Sequence, residues 1–232
     1  MGYVSLEDLF ICDRVFQVAG DGITSNDDAS AFLLNLSEPI LIDTGAGRSI
    51  EKIIENIRVA GVDPHSLKKV VITHNHVDHI GGMSYLKKKY GVMFYLHALD
   101  AGAVERGDTE TTAAAMYGVA LASVAVDVKI SDENYPLKIG DHTLFLLHTP
   151  GHTPGSISPY IDIEGRRVLF AQDVHGPFLD IFGSDIYEWR NSMERLIELG
   201  PDILCEGHFG VFEPGERAIS YIRSYLDRYA SR

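Results

Sequence analysis

Cysteine is nearly absent from this chain of 232 residues: only Cys12 and Cys205 occur, far apart in sequence. Two such distant residues build no disulfide framework, and they fit a reducing compartment. Long apolar runs are missing as well. No uninterrupted stretch approaches the roughly 18 residues of a membrane-spanning helix. The start Met1-Gly2-Tyr3-Val4-Ser5-Leu6-Glu7-Asp8 lacks the basic-then-apolar order of a secretion signal. An unexported, cytoplasmic protein with no membrane partner is therefore expected. Positive charge is scarce: 20 Lys and Arg face 33 Asp and Glu, a formal net charge of −13. That balance repels a phosphate backbone, and the longest basic cluster, Lys87-Lys88-Lys89, is too small to reverse it. Nucleic acid is thus excluded as the expected partner. Repeats, low-complexity tracts and linker-like stretches are also lacking, so residues 1–232 read as one domain.

What is present is enough apolar material for a core, with 45% hydrophobic and 23% charged residues. Short β-rich runs come first, at Arg14 to Val18, Ala31 to Leu36 and Pro39 to Asp43, separated by Gly and Asn-Asp turns. Ile50, Ile53, Ile54 and Ile57 then recur at helical spacing between Ser49 and Gly61. Val70-Val71-Ile72-Thr73 reads as a buried strand. A helix near Met83 to Tyr90 and a strand from Val92 to Leu96 follow. The stretch from Leu99 to Ala122 has helical propensity but is broken by Gly102, Gly107 and Gly118, which predicts interrupted helices or a flap. Strands are expected at Val124 to Ile130, Thr143 to His148, Ser156 to Ile163, Val168 to Ala171 and Ile203 to Cys205. Helices are expected at Ile186 to Leu199 and Gly215 to Tyr229. Strand-rich halves with inserted helices point to two sheets covered by helices on their outer faces, an α/β architecture.

The most informative segment is His74-Asn75-His76-Val77-Asp78-His79, directly after the apolar strand. It places four potential metal ligands in six residues. Imidazole and carboxylate are the donors preferred by borderline divalent metals such as zinc, manganese and iron. One hexapeptide does not easily complete a coordination sphere by itself, so further donors are expected at other strand ends. Three fit: His152 in Pro150-Gly151-His152-Thr153-Pro154-Gly155, Asp173 after Val168 to Ala171, and His208 in Glu206-Gly207-His208-Phe209-Gly210. His175 lies two residues beyond Asp173, where it reads as an acid-base or substrate-contacting group or as an exposed or supporting histidine. His65, His97, His142 and His148 read as surface or packing residues, and Cys205 as a small buried apolar side chain. Tyr117, Tyr160, Tyr187 and Trp189 are candidates to line a pocket, with nothing in the sequence to select among them.

Taken in order, these landmarks, with Leu41-Ile42-Asp43-Thr44-Gly45 before them, resemble the metallo-β-lactamase-fold superfamily over residues 41–208. The resemblance implies a four-layer αββα sandwich of two mixed sheets flanked by helices, with metals held along one sheet edge. It implies that His74, His76 and His152 bind one divalent ion, that Asp78, His79 and His208 bind a second, and that Asp173 bridges them. Asp43 would orient a ligand through a hydrogen bond. Zinc is the first expectation, with iron or manganese as options. Two such ions about 3.5–4 Å apart share and activate a water molecule, which suits hydrolysis of a small ester, thioester, lactone, amide or phosphoester. Asp78 and His175 are the candidate catalytic side chains.

Within that superfamily, antibiotic-hydrolysing lactamases typically carry Cys or Ser where this chain has Asp173, and they are exported. Flavodiiron oxidoreductases usually carry Glu at the position of His76. The glyoxalase II group shares the full ligand set but uses a longer helical C-terminal region than the stretch after His208. Persulfide dioxygenases share these motifs yet hold a single iron through the equivalents of His74, His152 and Asp173. The expectation is therefore a dinuclear hydrolase of a small-molecule substrate, homodimeric assembly being compatible with it. The alternatives are a one-iron persulfide dioxygenase and a non-catalytic metal-binding module.

Overall fold

The computed structural model describes residues 4–171 and 173–230. After a single-turn helix α1 (Leu6–Leu9), seven strands form the first sheet in chain order: β1 (Phe10–Cys12), β2 (Val15–Ala19), β3 (Ala31–Leu34), β4 (Ile40–Ile42), β5 (Lys69–Val71), β6 (Met93–His97) and β7 (Val128–Ile130). The first four pair antiparallel through hairpins, whereas β4 to β7 pair parallel. Parallel pairing needs crossovers, and helices α2 (Ile50–Val59), α3 (Val77–Ile80), α4 (Met83–Tyr90), α5 (Ala98–Arg106) and α6 (Ala114–Tyr117) supply them. The second sheet holds β8 (Asn134–Ile139), β9 (His142–His148), β10 (Ile157–Ile163), β11 (Arg166–Ala171), β12 (Ile203–Glu206) and β13 (Val211–Phe212), in spatial order β13-β12-β11-β10-β9-β8. Only β11 and β12 pair parallel there, and α7 (Ile186–Leu199) makes their crossover. Helix α8 (Gly215–Arg228) closes the described chain.

The period-two alternation of strand side chains sorts the apolar residues into three layers. Leu33, Leu41, Val70 and Phe94 face the helices and meet Ile50, Ile53, Ile54 and Ile57 of α2 together with Leu86 of α4. Their neighbours Phe32, Leu34, Ile40, Ile42, Val71 and Tyr95 face the other way. They pack between the sheets against Leu144, Leu146, Ile161, Val168, Phe170 and Cys205. Leu147, Leu169 and Leu204 point outward from the second sheet onto Trp189, Met193 and Leu196 of α7 and Ile222 of α8. Strands covered on both faces have no polar face, which is why Ala31–Leu34 and Ile40–Ile42 are buried throughout. The result is the αββα sandwich of two mixed sheets that the motifs implied.

Some boundaries differ from the sequence reading. Strand β8 goes unpredicted because Pro136 reads as a strand breaker; as the edge strand of its sheet, β8 tolerates a residue with no N–H. β1 and β13 are too short to leave a pattern. The strand expected from Val124 is confined to Val128–Ile130, because Val124 and Val126 are buried by the helix-side core without joining the ladder. The segment expected to be interrupted contains α5, ended by Gly107 at φ 64°, and the four-residue α6 between Ala113 and Gly118, both left-handed. Among the described residues no helix is long and apolar enough to cross a membrane.

The order of strands brings the loops that matter to one edge. β5 in the first sheet, and β9, β11 and β12 in the second, all end there. Backbone bonds tie the two sheets together at that edge: Ile157 N–H donates to Thr73 O at 2.8 Å, and Ser30 N–H to Gly207 O at 2.7 Å. Gly151 has φ 132°, and any Cβ there would overlap the backbone of Trp189, so the loop after β9 seats directly on α7. Phe170 lies between the sheets at 1% exposure, and Phe170→Ala is expected to cost about 3–5 kcal/mol by cavity formation. Tyr187→Ala, at a residue 69% exposed, is expected to change stability by no more than about 0.5 kcal/mol. Urea denaturation of the two variants checks both values.

Candidate metal centre

Strand β5 runs into the turn His74-Asn75-His76, after which α3 begins. Asp78 and His79 sit in its first turn, and both are buried. Thr73 and Asp43 hold this turn from below. The Asp43 carboxylate accepts from Thr73 N–H and Thr73 Oγ1, each at 2.8 Å, and lies 2.8 Å from His79 Nδ1. Asp43 adopts a left-handed backbone at φ 62°, an uncommon conformation for a residue other than glycine. Fixing Nδ1 of His79 leaves its Nε2 facing the pocket.

Three imidazole nitrogens converge at the edge of the sandwich. His76 Nδ1 is 3.1 Å from His74 Nε2 and 2.9 Å from His152 Nε2. Asp173 Oδ2 lies 3.4 Å from His152 Nε2 and 4.0 Å from His74 Nε2. The same oxygen is 3.3 Å from His208 Nε2, while Asp173 Oδ1 is 3.3 Å from His79 Nε2. Asp78 Oδ2 completes a second group, 3.2 Å from His208 Nε2 and 3.8 Å from His79 Nε2. The seven side chains picked out along the sequence thus meet in two adjoining sets, with Asp173 between them.

The donor set fits divalent metals. Atoms bonded at 2.0–2.1 Å to a tetrahedral zinc ion stand about 3.3 Å apart, close to the spacing of these nitrogens. His79 Nε2 and Asp173 Oδ1 are buried and face each other at 3.3 Å without hydrogen-bond geometry, a costly arrangement that coordination would relieve. Two outer nitrogens are already engaged, His152 Nδ1 at 3.0 Å from Pro177 O and His74 Nδ1 at 3.2 Å from Thr73 Oγ1, whereas Nε2 of His76 is buried with no hydrogen-bond partner.

Without a cation the cluster divides by charge. Burial, reinforced by the neighbouring imidazoles, holds His74 well below its ordinary value, His76 at about 3 and His152 at about 4, so all three are neutral ligands at pH 7. His208 is different. Burial opposes its charge, but Asp173 and Asp78 push it up to about 10. His79 is raised in the same sense by Asp173, Asp43 and Asp78 against the opposing effect of burial. The two cationic imidazoles overcome the burial penalty on Asp173 and keep it ionised.

His175 lies beside this centre. Its Nδ1 is 2.9 Å from Glu206 Oε1, and its ring packs edge-on against His208 and Phe209, with centroids 5.2 and 4.8 Å away. Glu206 is fully buried, and its other oxygen accepts from the N–H groups of His208 and Phe209 at 2.6 and 2.8 Å. Sequence reasoning missed Glu206, although its place at the end of β12, two residues before His208, was a usable signal. It also missed Asp100, a helix residue without a motif. Of the aromatic candidates, Tyr117 on α6 is close enough to the centre that burial and the Asp78 carboxylate hold its hydroxyl above its ordinary range. The flap is fastened by Val77 N–H donating to Thr112 O at 2.8 Å. His97 is buried and stacks on His148 with centroids 4.0 Å apart, whereas His65 is exposed; Cys205 is buried between the sheets.

Comparison with known proteins agrees with this geometry. The family model described as the metallo-beta-lactamase superfamily matches residues 27–208. The chain is 28% identical over 245 residues to the acyl-coenzyme A thioesterase MBLAC2 of Bos taurus, covering 93% of this chain and 85% of that one. It is 25% identical over 236 residues to the "Probable metallo-hydrolase YflN" of Bacillus subtilis (strain 168), covering 88% of each. Among solved structures, a metallo-beta-lactamase of Cronobacter sakazakii superposes with a TM-score of 0.75 at 22% identity, covering 94% of both chains, which is a likeness of fold.

The charge division gives a test. At pH 7.5 His79 and His208 carry protons in the metal-free protein, whereas His74, His76 and His152 do not. Loading both sets with Zn²⁺ should therefore release one proton each from His79 and His208, since ligating imidazole is neutral, and a third where a bound water becomes hydroxide. Calorimetric titration in buffers of different ionisation enthalpy measures that number, and release near zero would refute the assignment. For the metal-free protein, the raised His208 contributes stability that is full below about pH 6.5 and is lost as the pH rises through about 10.

Proposed function

The chain belongs to the metallo-β-lactamase superfamily, and from that premise we propose that it is a metal-dependent hydrolase of a small carbonyl ester, with acyl thioesters foremost. The observation that carries this reading is the complete double donor set, His74, His76 and His152 beside Asp78, His79 and His208, with Asp173 within reach of both. A one-iron persulfide dioxygenase shares these motifs, so the preference for hydrolysis over that chemistry rests on the metallo-hydrolase and thioesterase relatives. The thioester preference rests on the acyl-coenzyme A thioesterase relatives, which align over most of this chain.

Two bound divalent ions would supply a hydroxide at neutral pH and polarise the substrate carbonyl. The chain's own groups do the rest. Asp43 fixes the tautomer and orientation of His79 through Nδ1. Glu206 orients His175 through Nδ1, leaving Nε2 free of that bond to take the proton the attacking water loses and pass it to the departing thiol or alcohol. Phe182 lies against His76 with ring centroids 4.3 Å apart, and next to it Ile181 is 43% exposed. Phe209, 57% exposed, stands on the His175 side. These side chains offer apolar surface to an acyl group. A small-molecule substrate, a dinuclear centre of zinc or a similar metal, and a cytoplasmic setting complete the proposal.

The deciding experiment measures metal per chain after purification without added metal. Alongside it, hydrolysis of acyl thioesters, lactones and phosphodiesters is compared with oxygen uptake on glutathione persulfide. About two metals per chain with thioester hydrolysis is the expected outcome. One iron with oxygen uptake would replace this reading. His76→Ala should abolish hydrolysis, and Asp43→Ala should lower metal affinity or activity by about 10–100-fold.

A further inference from the structure

Asp100 lies outside every motif of the chain, in the first turn of α5, yet it is completely buried and both of its oxygens are engaged. Its Oδ2 accepts from the backbone N–H of Asn75 at 3.1 Å and from Thr153 Oγ1 at 2.7 Å. Its Oδ1 accepts from Gly155 N–H at 2.7 Å. Asn75 stands between His74 and His76, and Thr153 immediately follows His152. One carboxylate therefore joins the loop after β5 in the first sheet to the loop after β9 in the second. Gly155 comes so close that an added Cβ would lie 2.5 Å from Asp100 Oδ1. Asp100 adds a buried brace to the direct approach of His76 Nδ1 to His152 Nε2 and to the backbone bond from Ile157 N–H to Thr73 O.

We propose that Asp100 is a positioning residue that sets the spacing between His74 and His76 on one loop and His152 on the other, and so the affinity of the first metal set. The inference rests on the metal-centre reading given above. The Thr73 hydroxyl and Pro177 O turn the imidazole rings about their own axes, and the Thr73 carbonyl joins the sheets at Ile157, beyond the turn that carries His152. The three nitrogens stand 2.9 and 3.1 Å apart in neighbouring pairs, a spacing that a small slip of either loop would spoil. Asp43 plays the corresponding part for the second set through His79. The two buried acids thus divide the centre between them.

Burial pushes the Asp100 carboxyl up to about 6 against its three hydrogen bonds, so the test is run at pH 8, where the acceptor form prevails. Metal-free protein is titrated with Co²⁺ against a competing chelator, reading visible absorption for each equivalent, with circular dichroism melting of the same metal-free samples. A His208→Ala background isolates the first set. Asp100→Asn should weaken the first-set equivalent by about 10–100-fold and alter its absorption bands, leaving the second unchanged. Asp43→Asn should do the reverse. Thr153→Val, which removes one donor, should show a smaller loss at the same set, and it decides the matter if Asp100→Asn does not fold. Wild-type affinity for both equivalents in folded Asp100→Asn overturns the proposal, as does equal weakening of both. A wild-type protein that takes up one equivalent refutes the two-metal reading alone, because the Asp100 effect is then read on that equivalent. Uptake of none refutes both.

Discussion

Two carboxylates and five imidazoles share a buried pocket, and the cost of keeping them there governs the structure. A buried charge or unpaired polar atom is expensive, so such a cluster persists only where each group has a compensating partner. Without a cation, the compensation is internal: His79 and His208 carry the positive charge that Asp173 and Asp78 require. His74, His76 and His152 have no such neighbour close enough to outweigh burial and remain neutral. The 3.3 Å contact of His79 Nε2 with Asp173 Oδ1, an ion pair without hydrogen-bond geometry, marks where internal compensation is weakest.

Support for the cluster comes from a second tier of buried acids. Asp43, Asp100 and Glu206 are each at most 3% exposed, and each accepts from backbone N–H groups of a loop that bears candidate ligands. Carboxylates suit this task because two oxygens accept several donors at once, and charge-assisted bonds are stronger than neutral ones. Their carriers differ: Asp43 follows β4, Asp100 rides on α5, and Glu206 ends β12. The geometry of the centre is thereby tied to the helix-side layer as well as to both sheets.

The histidine-rich turn, the glycine-flanked His152 and His208 and the lone Asp173 were all legible along the chain, because coordination chemistry restricts both residue type and local backbone. The apolar periodicities of α2, α7 and α8 were legible for a similar reason, since each helix buries one stripe. Asp100 was not. It occupies a helical turn like any solvated acid, and only the arrival of Asn75 and Thr153 from distant parts of the chain makes it a buried acceptor. Tyr117 was one of four aromatic candidates, and only the folded chain brings it under the influence of Asp78. Strand β8 stayed hidden behind Pro136, whose tolerance depends on lying at a sheet edge.

Sequence alone determined which donors are available, their order, and the two-sheet class of fold, since these follow from residue chemistry and short-range pattern. Tertiary structure decided which nitrogen of each histidine faces the pocket, which imidazoles carry charge, and which acids brace the loops. Those properties depend on distances between residues as far apart in the chain as Asp78 and His208. Such distances are fixed only when the two sheets close on their shared core and bring their strand ends to one edge.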